Sequence, residues 1–94
     1  MKKEQHSSLT VEIQNQSGLH ARPSASFAKT ANEFKSNISV EHKSSRVNGK
    51  SIIGLMTLSA CQGSKLTIIA DGPDADYAIE SLGNLVNNKF GETV

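Results

Sequence analysis

A histidine and an arginine stand two positions apart within residues 17–23, and their side chains suggest phosphoryl chemistry. His20 offers an imidazole nitrogen, which is a nucleophile when the ring is neutral. Arg22 offers a planar guanidinium, whose fixed donors suit a phosphate group. The turn residues Ser17 and Gly18 come just before them. The stretch therefore predicts a site where a ring nitrogen attacks phosphorus and the transferred anion lies beside an arginine.

A helix must begin close to His20. Apolar residues from Ala21 to Phe34 recur at intervals of three and four, which is the spacing of one helical face. Pro23 fits the first turn, because its missing N–H would have no helical partner there. The positive end of a helix disfavours protonation of a neighbouring imidazole and attracts anions. The pattern therefore predicts a neutral His20 beside an anion site.

Strands are predicted elsewhere in the chain. Apolar and polar residues alternate at residues 9–13, 38–41 and 65–70. Val47 indicates a short further strand, with two candidate hairpin turns that the pattern leaves open, Lys43–Ser45 and Asn48–Gly49. The polar faces of these strands favour antiparallel pairing, because a parallel sheet needs apolar residues on both faces.

Two further helices complete the predicted fold. Residues 51–58 are short and apolar, so helix and strand are both possible, and Ser51 as a good N-cap favours a helix. The three- and four-residue spacing over residues 75–86 predicts a last helix with Asp74 as its N-cap. The fold class is α+β, an open antiparallel sheet with helices on one face. We expect a single domain, 1–94, with residues 1–8 and 91–94 as loose ends.

The composition excludes several classes of protein. The 94 residues hold ten basic and nine acidic side chains, so the net charge of +1 shows no basic excess for binding nucleic acid. One cysteine cannot form an internal disulfide, and no apolar run approaches the roughly 20 residues that span a membrane. The spacing of the histidines and the cysteine fits no zinc site. We predict a small soluble domain in the cytoplasm, without a metal or cofactor.

Two blocks of the sequence resemble one protein family. Residues 18–23 (GLHARP) are similar to the active-site motif of the histidine-containing phosphocarrier (HPr) family of the bacterial phosphotransferase system. Residues 48–56 (NGKSIIGLM) resemble the regulatory-serine region of that family, at the matching separation. The resemblance covers roughly residues 9–90 and implies an open-faced β-sandwich of four antiparallel strands and three helices. Ser24 departs mildly from the alanine that often follows the proline in this family.

The resemblance implies a phosphocarrier rather than an enzyme with its own turnover. His20 would accept a phosphoryl group on Nδ1 from the phosphoenolpyruvate-dependent Enzyme I and pass it to Enzyme II A components of sugar transporters. Arg22 would stabilise the phosphate, and Ser17 and Gly18 would border it. Ser51 would be the serine that an ATP-dependent HPr kinase/phosphorylase modifies.

The apolar residues after Ser51 suggest a docking surface. A short helix on a thin domain is expected to leave some of its apolar side chains exposed, here from the set Ile52, Ile53, Leu55 and Met56. Phosphate on Ser51 would place about two negative charges beside them and block the docking of Enzyme I. Lys29 is a candidate contact for an acidic partner. The alternative is that Ser51 is only a cap and the apolar residues are only core.

Three other functions remain open at this point. A nitrogen-type or purely regulatory paralogue would share the fold and His20 but serve other partners. A non-catalytic interaction domain would use the surface of residues 52–56 and leave His20 silent. A small enzyme with His20 as general base would need a second acid or nucleophile, for which the chain offers no well-placed candidate. The carrier interpretation also predicts a monomer that docks onto larger partners in turn.

Overall fold

The computed structural model describes residues 5–94, which form a four-stranded antiparallel sheet with helices on one face. The strands are β1 (His6–Glu12), β2 (Asn37–His42), β3 (Ser45–Asn48) and β4 (Lys65–Asp71). The helices are α1 (Ala21–Ala31), α2 (Ile52–Met56) and α3 (Ala75–Asn87), followed by a 3₁₀ turn at Lys89–Gly91. The strand order across the sheet is β1-β4-β2-β3. The predicted fold class is confirmed.

Both ends of the chain differ from the prediction of loose segments. Residues 6–8 form the first part of β1 and pair with residues 69–71 of β4, whereas residues 1–4 lie outside the described residues. Backbone hydrogen bonds hold this polar part of an edge strand, and side-chain alternation does not reveal them. At the other end, the 3₁₀ turn buries Phe90, and Glu92 contacts the start of α1. The prediction of loose ends is therefore wrong for residues 6–8 and for Glu92.

The core lies between the inner face of the sheet and the three helices. Alternate strand residues and one face of each long helix are buried there, including Val11, Val40, Leu66, Ile68, Phe27, Ala31, Leu82 and Val86. This arrangement follows from the two spacings in the sequence, two in strands and three to four in helices. At Gly83 the absence of a side chain permits close packing, because a Cβ there would lie 2.7 Å from Cδ2 of Leu9 on β1.

The hairpin between β2 and β3 turns at Lys43. His42 pairs with Ser45, and Lys43 between them has a left-handed φ of 57°. The other candidate turn ends β3 instead. There the N–H of Gly49 donates to the carbonyl of Ile38 at 2.8 Å, and a Cβ at Gly49 would lie 2.6 Å from Cγ2 of Ile38. Close backbone approach, and not a hairpin turn, is therefore the role of this glycine.

Helix α2 begins with the N-cap that the sequence predicted. The backbone N–H of Gly54 donates to Oγ of Ser51 at 3.0 Å, which satisfies a donor that the helix leaves free. This bond favours the helix over the strand for an apolar segment that is compatible with both. Among residues 5–94, none of the helices combines the length and the apolar composition needed to cross a membrane.

Asp74 secures the start of α3 by a contact that the sequence did not predict. It occupies the N-cap position, but its side chain makes no cap hydrogen bond. Its carboxylate instead accepts hydrogen bonds from the Ser36 hydroxyl at 2.6 Å and from the backbone N–H groups of Lys35 and Ser36, both at 2.9 Å. These bonds, the Ser36 hydroxyl foremost, lower the pKa of Asp74 from 3.8 to about 2.

The substitution Asp74→Asn is expected to remove part of the acid dependence of stability. Because the pKa of Asp74 is lowered by folding, its stabilising contribution is complete above about pH 4 and is lost as the pH falls through about 2. Urea unfolding from about pH 6 to about pH 2 should show a smaller drop in the free energy of unfolding for the variant than for wild type.

The control is Asp76→Asn, which removes the same charge from an exposed position in the first turn of α3. It should keep the wild-type pH dependence, because Asp76 lacks the contacts to Lys35 and Ser36 that hold Asp74. Indistinguishable acid profiles for wild type and Asp74→Asn would show that this carboxylate does not link stability to pH.

Candidate functional site

The segment before α1 is fixed by a close contact with residues 60–61. Gly18 has a left-handed φ of 68°, and the N–H of Leu19 donates to the carbonyl of Ala60 at 3.0 Å. A Cβ at Gly18 would lie 2.4 Å from that carbonyl oxygen, so this path requires glycine. The contact directs the chain so that His20 becomes the N-cap of α1, which agrees with the prediction that this helix begins close to His20.

His20 presents its ring to solvent at the amino end of α1. Its carbonyl accepts the first helical hydrogen bond, from the N–H of Ser24 at 3.0 Å, and 43% of its side chain is exposed. The backbone amides of Ala21 and Arg22 precede that bond and have no intrahelical partner, while Pro23 has no N–H to satisfy. An anion bound to the ring would therefore meet backbone donors and the positive end of the helix.

The predicted phosphate residues line one surface cavity. Ser17, His20 and Arg22 surround about 420 Å³ together with residues 90–94. Gly18 is buried and does not line this cavity, so its contribution is to the backbone path before α1. Arg22 is exposed, and within residues 5–94 its guanidinium has no hydrogen-bond or carboxylate partner, which leaves its donors available to a ligand.

Two residues that the sequence did not identify complete this site. Oε2 of Glu92 lies 3.1 Å from Nε2 of His20, and Oε1 accepts a hydrogen bond from Nδ2 of Asn15 at 3.0 Å. The fully buried Asn15 also donates to the carbonyl of Gly18 at 2.9 Å. Because an ionised carboxylate can only accept, the His20 ring donates its Nε2 proton to Glu92, and in the neutral form of the ring the lone pair is on Nδ1.

Sequence signals for these two residues were weak. Asn15 stands in a segment rich in turn-forming residues, which indicates a loop but not a buried side chain. Glu92 lies 72 residues from His20, and its neighbours show no helical or strand spacing. Only the three-dimensional path of the chain brings the carboxylate to the imidazole.

The second predicted site lies on α2 and is smaller than expected. Three side chains are exposed, with Ile53 at 76%, and we call them the apolar patch: Ile52, Ile53 and Met56. Leu55 is fully buried in the core, so its assignment to this surface is wrong. Two helical residues at positions 53 and 55 point about 200° apart, which turns Leu55 inward when Ile53 faces solvent. Lys29 is exposed on α1, which packs against α2.

Comparison with known proteins assigns the family. Residues 7–88 match the family model described as the PTS HPr component phosphorylation site. The chain is 48% identical over 83 residues to the phosphocarrier protein HPr of Neisseria meningitidis, covering 88% of this chain and 93% of that protein. It is 42% identical over 79 residues to the HPr-like protein Crh of Bacillus subtilis, covering 84% and 93%.

The solved structures agree with the sequence comparison. A crystal structure of HPr from Thermoanaerobacter tengcongensis has a TM-score of 0.89 and 45% identity, and the match covers 94% of this chain and 99% of that one. Family model, relatives and structure all point to the family that the GLHARP and NGKSIIGLM blocks suggested. The chain therefore belongs to the HPr family of the phosphotransferase system, and its general role is that of a phosphocarrier protein rather than an enzyme.

Proposed function

We propose that this protein accepts a phosphoryl group from Enzyme I on Nδ1 of His20 and delivers it to Enzyme II A components of sugar transport. The observation that carries the proposal is the state of the His20 ring. Its Nε2 is engaged by Glu92, and its Nδ1 has no hydrogen-bond partner within residues 5–94. The ring also shares a surface cavity with Arg22.

The transfer requires little from the protein beyond this placement. The Nδ1 lone pair attacks phosphorus, an N–P bond forms, and the bond between phosphorus and the donor breaks. The amino end of α1 stabilises the anion by about 0.3–1 kcal/mol, or about 2 kcal/mol in a partly buried geometry. Arg22 adds charge-assisted hydrogen bonds. Such modest stabilisation suits a carrier, because a tightly held phosphoryl group would not be passed on.

Labelled phosphoenolpyruvate and Enzyme I test the carrier proposal. We expect wild-type protein to take up phosphate that is labile in acid and stable in base, as an N–P bond to histidine requires. Addition of Enzyme II A should remove this label from the carrier. Failure to label with Enzyme I preparations from several bacteria would contradict the proposal.

The similarity to Crh, the catabolite repression HPr of Bacillus subtilis, favours a second candidate, a regulatory protein with the same fold. Such a protein would serve partners other than the sugar transporters. The same experiment separates the two functions. Uptake of phosphate followed by transfer to Enzyme II A supports the carrier, whereas no transfer to any Enzyme II A supports the regulatory protein.

Ser51 is proposed as a regulatory phosphorylation site for an HPr kinase/phosphorylase. Its side chain is half-buried at the start of α2, and it directly precedes the exposed Ile52 and Ile53. We propose that the apolar patch is the docking surface for Enzyme I, with Lys29 on the neighbouring helix as a contact for acidic groups. A phosphate on Ser51 would bring negative charge to this surface and oppose docking.

A kinase assay and a charge-mimicking variant test the regulatory role. Incubation with ATP and an HPr kinase/phosphorylase should give acid-stable phosphate on wild type and none on Ser51→Ala. Ser51→Asp should slow labelling of His20 by Enzyme I by about tenfold or more, since like charges across an interface cost several kcal/mol. Ser81→Ala, on the exposed surface of α3, is the matched control. Acid-stable phosphate that survives Ser51→Ala would disprove the assignment.

The proposed carrier acts as a monomer in the cytoplasm. One chain supplies the residues that surround the ring, since Glu92 contacts both Asn15 and His20. A carrier that must present His20 to Enzyme I and then to Enzyme II A also needs the cavity around Arg22 to stay accessible.

A further inference from the structure

We infer that Glu92, anchored by Asn15, selects which nitrogen of His20 reacts with phosphorus. This inference rests on the proposed function and extends it by naming a positioning residue. An imidazole has two ring nitrogens. The hydrogen bonds that the ring makes with its surroundings determine which nitrogen holds the proton in the neutral form. In His20 the two nitrogens differ, because Nε2 faces a carboxylate and Nδ1 does not.

Asn15 holds the carboxylate in place from inside the protein. Its Nδ2 donates to two acceptors, the Gly18 carbonyl at 2.9 Å and Glu92 Oε1 at 3.0 Å. The opposite orientation of this amide would set its oxygen against both acceptors, so the hydrogen-bond network fixes the orientation. The Oδ1 of Asn15 is buried without a partner in residues 5–94. A buried amide oxygen without a partner is unfavourable and needs an explanation. Here the explanation is that the Nδ2 group of Asn15 must donate to both acceptors.

The low solvent exposure of Glu92 strengthens its hydrogen bond to His20. Its side chain is only 16% exposed, so water competes little for the carboxylate, and hydrogen bonds to a charged group are strong. Arg22 and Glu92 are the charged side chains that line the cavity with the His20 ring within residues 5–94. A phosphoryl donor is therefore attracted toward Arg22 and repelled from Nε2, where the negative carboxylate stands.

Two chemical consequences follow for the His20 ring. Before transfer, Glu92 keeps the proton on Nε2 and covers that nitrogen, which leaves the lone pair on Nδ1 to attack phosphorus. After transfer, the carboxylate favours a ring that retains the Nε2 proton and is positively charged. A positively charged ring is a better leaving group, so Glu92 makes the phosphoryl group easier to pass on or hydrolyse.

Phosphoramidate tests the selection directly, because this small phosphoryl donor needs no protein partner. The ring nitrogen attacks its phosphorus, the P–N bond of the reagent breaks, and ammonia leaves. Phosphorus NMR of wild type should show the group on Nδ1. In Glu92→Ala the ratio of Nδ1 to Nε2 product should fall by about tenfold, the loss expected for one charge-assisted hydrogen bond at a partly exposed site.

Conservative and control variants separate positioning from folding. Glu92→Gln keeps an oxygen acceptor without the charge, so its product ratio should lie between wild type and Glu92→Ala. It also replaces Glu92→Ala as the test if the alanine variant does not fold. Glu80→Ala, which removes an exposed glutamate from α3, should keep the wild-type ratio. Phosphorylated Glu92→Gln should also hydrolyse a few times more slowly than phosphorylated wild type at neutral pH.

The outcomes distinguish this inference from the carrier function. An unchanged product ratio in both folded Glu92 variants would overturn the inference, even if Enzyme I phosphorylates every variant. A shifted ratio in a protein that Enzyme I cannot label would support the role of Glu92 and contradict the proposed function instead.

Discussion

Replacement of His20 with alanine is expected to abolish phosphoryl uptake from Enzyme I, with a loss of at least about a thousandfold. Losses of this size or greater follow when a reacting nucleophile is removed. In the described residues, His20 provides the only imidazole lining the cavity with Arg22. The fold should survive, because the side chain is 43% exposed and the free energy of unfolding should change by about 1 kcal/mol or less.

The matched control is His6→Ala. His6 lies on the edge strand β1, where its ring is hydrogen-bonded to Asp71, and it does not line the cavity. Labelling by Enzyme I should remain at the wild-type rate in this variant. If His20→Ala still accepted acid-labile phosphate at the wild-type level, another side chain would have to be the acceptor.

Gly18→Ala is expected to cause the largest loss of stability among single substitutions near the site. The left-handed φ of 68° costs a non-glycine residue about 1–2 kcal/mol. The added Cβ would also lie 2.4 Å from the carbonyl oxygen of Ala60 and 2.7 Å from Cα of Cys61. Both obstacles are backbone atoms, so relief requires a shift of the loop. We expect a total loss of about 3 kcal/mol or more, a large fraction of the stability of a small domain.

A second glycine provides the control for this prediction. Gly63 also has a left-handed φ, of 89°, but nothing lies within 4 Å of a Cβ built there. Gly63→Ala should therefore cost about 1–2 kcal/mol, from the backbone conformation alone. Urea denaturation gives both free energies of unfolding. Equal losses in the two variants would show that the contact with Ala60 is not rigid.

Sequence patterns predicted the parts of the site that depend on local structure. Pro23 and the apolar spacing after it placed His20 at the start of α1, because both are properties of neighbouring residues. Ser51 marked the start of α2 for the same reason. The position of Leu55 also follows from helix geometry, whereas hydrophobicity alone groups it with its exposed neighbours. Hydrophobicity identifies residues that avoid water but not the side of a helix on which they lie.

Contacts between distant segments had no comparable signal. Glu92 reaches His20 across 72 residues, and Asp74 binds Lys35 and Ser36 across 39 and 38 residues. Each of these contacts depends on where several elements end in space, whereas periodicity reports only the environment along one element. The role of a polar residue at the end of an element therefore depends on which distant residues the tertiary structure brings next to it.

The strand order has a consequence for how the protein is made. β1 pairs only with β4 in the described sheet. The backbone groups of residues 6–12 therefore have no hydrogen-bond partners in the sheet until residues 65–71 have been synthesised. Pairing across so many residues is slow compared with helix formation. During synthesis, His20 is made before two residues that hold it in place. These are Ala60, whose carbonyl lies against Gly18, and Glu92, whose carboxylate is hydrogen-bonded to the His20 ring. We therefore expect nascent chains that lack these residues to be poor phosphoryl acceptors.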